Sequence, residues 1–317
     1  MVSISTSSKG RSVVTDHDDQ WMTDGNFGVL TDRNPSASPL QLDNMTKLAI
    51  SVVLYASDLN LLAEVIDSLT RAHRYALRTF ALTCVLDLVN NKADDVHKGA
   101  IVDLARSATS EGFSAVFIDA GTNGGYGAGN NLSIRRHADA DFHLVLNPDA
   151  LIDEAALSNA LAYLRSNLDV GLLTPQVTGL DGEPHRLCKQ HPKLLDMFIR
   201  SVSSPFLNRL FTQRNIRFEM RDKDYRRVIR PVPYPTGCFM LFRRSVLDKI
   251  GGFDEGYFLH YEDADIGRQV SQVSEAAYVP SVVVLHKWSR DTHKSWRMRW
   301  ITIKSGLRYW RKWGGVF

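Results

Sequence analysis

The chain predicts an α/β fold with a mostly parallel central sheet and helices flanking it. Three observations carry this. Short apolar, β-branched runs alternate with stretches of helical period along the first half of the sequence. The runs are near-continuous rather than alternating, as expected of strands buried on both faces. With 317 residues, 44% of them hydrophobic, the chain has ample material for a sizeable core.

The elements follow in order. Residues 1–46 are rich in Ser, Thr, Asp and Asn and without period, which predicts a disordered or loosely packed extension. Residues 48–55, LAISVVLY, form the first strand. Asp58 is placed to cap the next helix, where Leu61, Leu62, Val65, Ile66 and Leu69 keep the helical period. A second strand, 80–86, ends at Asp87, and a helix follows at about 96–109. A third strand, 115–118, ends at Asp119 and runs into the turn TNGGYGAGNN, with a helix from near Ala128. The fourth strand, 142–146, ends at Asn147-Pro148-Asp149. A helix holding Ala155, Leu157, Ala160, Leu161 and Leu164 precedes a strand at 170–173 and a turn at 179–182. Residues 191–230 are polar, basic and weakly periodic. A strand at 235–242 leads to a helix capped by Ser245 and stopped by Gly251-Gly252. A helix begins near Asp263, and residues 278–286 form the last core strand.

Bulk features exclude several classes. Cys84, Cys188 and Cys238 lie far apart, so neither a disulfide framework nor a zinc site is expected, and the compartment is read as reducing. No stretch reaches the roughly 20 apolar residues of a membrane span. The N-terminus lacks a signal-peptide apolar core. The net charge of +3 is small, yet Lys287, Arg290, Lys294, Arg297, Arg299, Lys304, Arg308, Arg311 and Lys312 crowd the last segment beside a single acid, Asp291. So local a block implies an anionic partner for the C-terminus.

Two segments carry chemistry. Asn147-Pro148-Asp149 sets a carboxylate just past a buried strand, where a βα loop presents it to ligands. Residues 234–266, YPTGCFMLFRRSVLDKIGGFDEGYFLHYEDADI, crowd Asp254, Glu255, Glu262, Asp263 and Asp265 among aromatics and glycines. Acids beside aromatics predict a cleft for a metal and a polyhydroxylated ligand. This ordered set, from about Leu48 to Phe317, resembles family-2 glycosyltransferases, and within them the bacterial transferases that build O-antigen and capsule, including rhamnosyltransferases.

The resemblance implies a GT-A-type catalytic domain over 47–290, with 191–230 an acceptor-side insert acting as a mobile lid, and a basic Trp-rich helical tail over 291–317. It implies inverting transfer of a sugar, with dTDP-L-rhamnose the first candidate donor. The acceptor implied is a polyprenyl-diphosphate-linked glycan at the inner face of the cytoplasmic membrane. Departure of the diphosphate calls for a divalent cation, Mg²⁺ or Mn²⁺. Asp149 stands at the last acid of the family's metal triplet and His286 at its strand-end histidine; alone, each also reads as an ordinary turn or strand-end residue. Asn147 replaces the triplet's first acid and is assigned to sugar or ribose.

Asp263 is the family's general base, with Glu262 orienting; like charge from Glu262 and Asp265 should raise its pKa. Gly237, Asp254 and Asp265 are placed on the acceptor side. The turn with Asn123, Gly124, Gly125, Tyr126 and Asn131 resembles a phosphate cradle at a helix N-terminus, without GxGxxG spacing. Asp87 matches the family's nucleobase acid, and Tyr55 and Ser57 flank the base.

Five of the six tryptophans fall after His286. Trp296, Trp300, Ile303, Leu307 and Trp310 form one helical stripe flanked by Arg297, Lys304, Arg308 and Arg311. That pattern fits a helix lying on an anionic inner leaflet and equally a helix packed on the core. Two other functions remain open. One is a nucleic-acid binder using the tail, although an acidic cleft would repel that ligand. The other is a silent sugar-nucleotide-binding scaffold, for which Asn147 speaks.

Overall fold

A computed structural model describes residues 45–91, 95–196, 209–287 and 296–314. The N-terminal extension therefore lies outside the described residues, apart from its last two positions, as do residues 197–208 of the insert. The strands are β1 Thr46–Leu54, β2 Leu82–Asn90, β3 Phe113–Asp119, β4 Phe142–Leu146, β5 Ala150–Ile152, β6 Val170–Thr178, β7 Pro184–His185, β8 Phe239–Arg243 and β9 Glu275–His286. The helices are α1 Leu59–Ala76, α2 Asp95–Ala108, α3 Tyr126–Arg136, α4 Ala156–Ser166, α5 Thr212–Phe218, α6 Arg244–Ile250, α7 Glu262–Val270 and α8 Trp296–Trp313.

One mixed sheet runs β3-β2-β1-β4-β8-β6-β9-β5, with β7 paired to β6. The half β3-β2-β1-β4 is parallel, as is the long β6–β9 pair; β8 lies antiparallel between β4 and β6. Alternate strand residues face opposite cores. Leu144, Leu146, Phe239 and Leu241 join one cluster with α1, α2 and α4, while Val145, Met240 and Phe242 join the other with Ile134, Val246 and Ile266. Both faces are thus covered, which is why the strands read as continuous apolar runs.

Local signals hold where their chemistry is simple. The Asp58 carboxylate accepts from the Asn60 and Leu61 amides and caps α1. Gly251 ends α6 in the left-handed region, at φ 76°. Ser245 does not cap α6: β8 runs straight into the helix, which starts at Arg244. The described part of the insert is no free lid. Phe218, Met220, Tyr225 and Ile229 are buried in the second cluster, and Ile229 exchanges backbone hydrogen bonds with Tyr278.

Candidate active site

The tight turn Asn147-Pro148-Asp149 joins β4 to β5, as the sequence predicts. Because β5 pairs with β9 and places Ala150 opposite His286, two residues far apart in the chain meet. Asp149 Oδ1 and His286 Nε2 lie 2.9 Å apart, both largely buried. A carboxylate and an imidazole facing each other suit a divalent ion whose other ligands are phosphates and water. Among the described residues no group of three or more His, Cys, Asp or Glu side chains forms a metal cage, so the pair fits only a partial ligand set.

The Asn147 amide donates to the Cys238 carbonyl at 2.9 Å, which ties this turn to the Thr236-Gly237-Cys238 approach to β8. Beside it sits the acidic pair at the start of α7. His260 and Tyr261 both hold positive φ, 68° and 69°, a strained conformation for residues other than glycine that turns the chain sharply into Glu262. Asp263 Oδ1 accepts from the Tyr234 hydroxyl at 3.0 Å and from the Ala264 amide at 2.9 Å. A side chain at Gly237 would press on Asp263 Oδ2, 3.4 Å from where its Cβ would be, so glycine keeps that oxygen approachable. The Tyr126 hydroxyl donates to the Gly237 carbonyl at 2.8 Å and closes the wall.

Burial raises the pKa of Asp263, while Lys189, the Tyr234 hydroxyl, the Ala264 amide and His260 oppose the rise. Glu262 is pushed up to about 8, first by burial and then by the charge of Asp263, and its Oε2 has no hydrogen-bond partner. At neutral pH the proton resides on Glu262 and the charge on Asp263, at the positive end of α7. The expected contribution of Asp265 to this shift is absent, because that residue points elsewhere.

A group whose folded pKa is raised stabilises the fold fully below its ordinary value and loses that contribution as pH rises through the folded value. Glu262→Gln should therefore flatten the fall of melting temperature between about pH 5 and pH 9, by roughly 2–4 °C per kcal/mol removed. Parallel melting curves for variant and wild type over that range would contradict the buried proton.

Other expected site residues are placed differently. Asp265 is fully buried and faces α8: it accepts from Trp313 Nε1 at 2.6 Å, Lys312 at 2.9 Å and the Tyr257 hydroxyl at 3.2 Å. Asp254 accepts from Arg308 at 2.7 Å and Lys312 at 3.0 Å, and these cations with the Gly256 amide overcome burial and hold it at about 2. Both acids clamp the tail helix and do not face an acceptor. Asn131 is likewise structural, bonded to Phe253 and Glu255.

Asp87 is fully buried beside His137 at 2.9 Å, because β2 continues to Asn90 instead of ending at the acid. Ser57 caps its own turn by accepting from the Tyr55 amide. The glycine-rich turn is shaped by packing. A Cβ on Gly125 would lie 2.1 Å from the Phe258 carbonyl oxygen, and the Tyr126 amide already donates to that oxygen. An anion cradle is therefore not its evident purpose.

What the sequence missed is the cavity itself. A space of about 370 Å³ at the ends of β1 and β2 is walled by Tyr55, Asn91, Asn123, Gly125 and Tyr126, and roofed by Phe258, Leu259, Arg297, Met298 and Ile301. A neighbouring space of about 410 Å³ shares Tyr55, Asn91, Asn123, Phe258 and Arg297 and adds Lys98 and Asp119. Asn91 donates to the Gly125 carbonyl, and its buried Oδ1 is left without a partner. The paired Asn90-Asn91 after an apolar run was the available signal.

Residues 48–308 match the family described as "Glycosyltransferase like family 2". The chain belongs to that family. Its sequence is 29% identical over 189 residues to an N-acetylglucosaminyl-diphospho-decaprenol L-rhamnosyltransferase of Mycobacterium tuberculosis, a match covering 55% of this chain and 59% of that protein. It is 27% identical over 241 residues to rhamnosyltransferase WbbL of Escherichia coli K12, covering 70% of this chain and 85% of that one. The chain thus spans somewhat more than half the length of the mycobacterial relative.

Among solved structures, the mannosyltransferase PcManGT of Pyrobaculum calidifontis, in complex with GDP-Man and Mn²⁺, superposes with a TM-score of 0.54 at 16% identity, covering 85% of this chain and 66% of that one. GalNAc-T7 with UDP, GalNAc and Mn²⁺ gives 0.59 at 13% identity, covering 86% and 48%. The fold is of the GT-A type, as the resemblance implied.

Proposed function

We propose that this protein transfers a sugar, with inversion, from a nucleotide diphosphate donor to a hydroxyl of a polyprenyl-diphosphate-linked glycan, with dTDP-L-rhamnose as the first candidate donor. One observation carries the reading: the Glu262–Asp263 pair beside Gly237 and the Asp149–His286 pair lie at opposite ends of one short stretch, Gly237–Cys238, whose thiol is raised by burial and by the charges of both Asp149 and Asp263. A base and a diphosphate-side ligand set at that spacing suit a displacement at a sugar carbon between them.

Asp263 Oδ2 takes the proton of the acceptor hydroxyl as its oxygen bonds to the sugar carbon, and the nucleoside diphosphate leaves with the electrons of the broken bond. Protonated Glu262 keeps a second negative charge out of the site. A divalent cation would be held by Asp149 and His286, and it would stabilise the charge developing on the diphosphate. Tyr55, Asn91 and Asn123 line the space given to the nucleotide, and the open Asn91 Oδ1 suits a nucleobase N–H donor. The names of the mycobacterial and E. coli relatives support rhamnose, and the mycobacterial name supports a lipid-linked acceptor. That acceptor would keep the enzyme at the inner membrane face, and among the described residues no helix is long and apolar enough to cross it.

The test is a panel of nucleotide sugars incubated with purified protein and Mg²⁺ or Mn²⁺, read by nucleoside diphosphate release. Release from dTDP-rhamnose above all others is expected. Release from a different donor would replace the sugar, and tight donor binding without any release would leave a silent binding scaffold.

A further inference from the structure

We infer that the solvent-facing side of α8 is a docking surface for an anionic lipid leaflet, lying flat on it. This deepens the proposed function and rests on its lipid-linked acceptor for the choice of a membrane as partner. The helix is amphipathic twice over. Its inner face, Ser305, Gly306 and Tyr309, is buried on the body. Arg308 and Lys312 pin it to Asp254 and Asp265, and Ser305 bonds the Leu259 carbonyl. Packing of the helix on the core is therefore already satisfied by residues outside the tryptophan stripe.

On the opposite side Trp296 is 78% exposed, Trp300 55%, Ile303 48% and Leu307 43%. Their spacing places them on one stripe along the helix. A fold that only needed α8 as a core helix gains nothing from large apolar side chains there. Exposed Arg299 borders the stripe on one side and exposed Lys304 and Arg311 on the other, and none of the three has an ion pair among the described residues. The helix contains no acid.

An apolar stripe between rows of cations matches a leaflet, which offers acyl chains below and phosphates at the level of the cations. Two copies of the same face would instead bring like charges together. The geometry also has a use. Arg297, Met298 and Ile301 of this same helix roof the nucleotide-side cavity, so docking α8 holds the cavity mouth beside the leaflet where a lipid-linked acceptor resides.

The experiment is co-sedimentation of the full chain with phosphatidylcholine vesicles and with vesicles that also contain phosphatidylglycerol, at low and high salt. Two variants accompany the wild type, Arg299→Glu/Lys304→Glu/Arg311→Glu and Trp296→Ser/Trp300→Ser/Ile303→Ser/Leu307→Ser. All seven positions are exposed, so both variants should keep the wild-type melting temperature and nucleotide-sugar hydrolysis.

The wild type should sediment with the anionic vesicles and be released by salt. The charge variant should lose about a hundredfold in partitioning, roughly fivefold per cation, and the serine variant should lose binding at both salt levels. Wild-type protein that stays in the supernatant, or variants that sediment like it, would overturn the docking. So would a serine variant that turns a dimer into a monomer without any vesicle effect, since a second copy would then cover the stripe. Absent vesicle binding with intact hydrolysis defeats the docking alone; absent hydrolysis with intact vesicle binding defeats the transfer reaction alone.

Discussion

Asp263→Asn is expected to lower turnover by roughly a hundredfold or more at saturating donor and acceptor, the scale of losing a general base. The amide keeps the shape of the carboxyl and can still accept from Tyr234 and Ala264 through one oxygen. It cannot take the acceptor proton. Donor affinity should stay near the wild-type value, because Asp263 faces Gly237 and none of the residues lining the nucleotide-side cavities. Glu262 is no ready substitute: in the folded protein it holds its proton to about pH 8. Turnover of the wild type should rise with pH as the acidic pair loses its proton, and that limb should vanish in the variant. Near-normal turnover by Asp263→Asn would remove it from this role and leave the Glu262 carboxyl as the candidate to test next.

The acidic segment shows how far residue types alone could be read. Its order and spacing were enough for the family and for the Glu262–Asp263 start of a helix. They did not tell which acids face the cleft. That partition depends on where α8 docks, and α8 takes Asp254 and Asp265 for Arg308, Lys312 and Trp313. Cations and acids separated by dozens of residues leave no local trace of their pairing.

Asp87 misled for a related reason. A charged residue inside an apolar run looks like a strand end, yet His137 satisfies it and β2 continues to Asn90. The polar residue that reaches the cavity is therefore Asn91. The glycine-rich turn was legible as a turn but not as a packing device, since the partner that demands Gly125 is the Phe258 backbone. Strand β4 and the turn after it were legible because nothing distant alters them: buried on both faces, an apolar run ending in Asn-Pro-Asp has one reading.

The other large effect is expected at Asp149. Asp149→Ala should weaken donor binding and turnover together, with turnover down on the order of a thousandfold if Lewis-acid stabilisation of the leaving group is lost. Chelation of the wild type should reproduce this, and added Mg²⁺ or Mn²⁺ should restore the wild type but not the variant. With Asn147 neutral and only Asp149 and His286 facing each other, the protein alone offers too few ligands to hold the ion firmly. Metal should therefore bind measurably only together with the nucleotide diphosphate, whose oxygens complete the shell. Calorimetric titration of donor with and without metal separates this from a preformed site. His286→Ala should give a smaller loss in the same two quantities, because a neutral imidazole contributes less attraction than a carboxylate. If turnover survives exhaustive chelation, the Asp149–His286 pair is a structural contact, and Lys98 and Arg297 beside the nucleotide-side cavities become the groups that must neutralise the diphosphate.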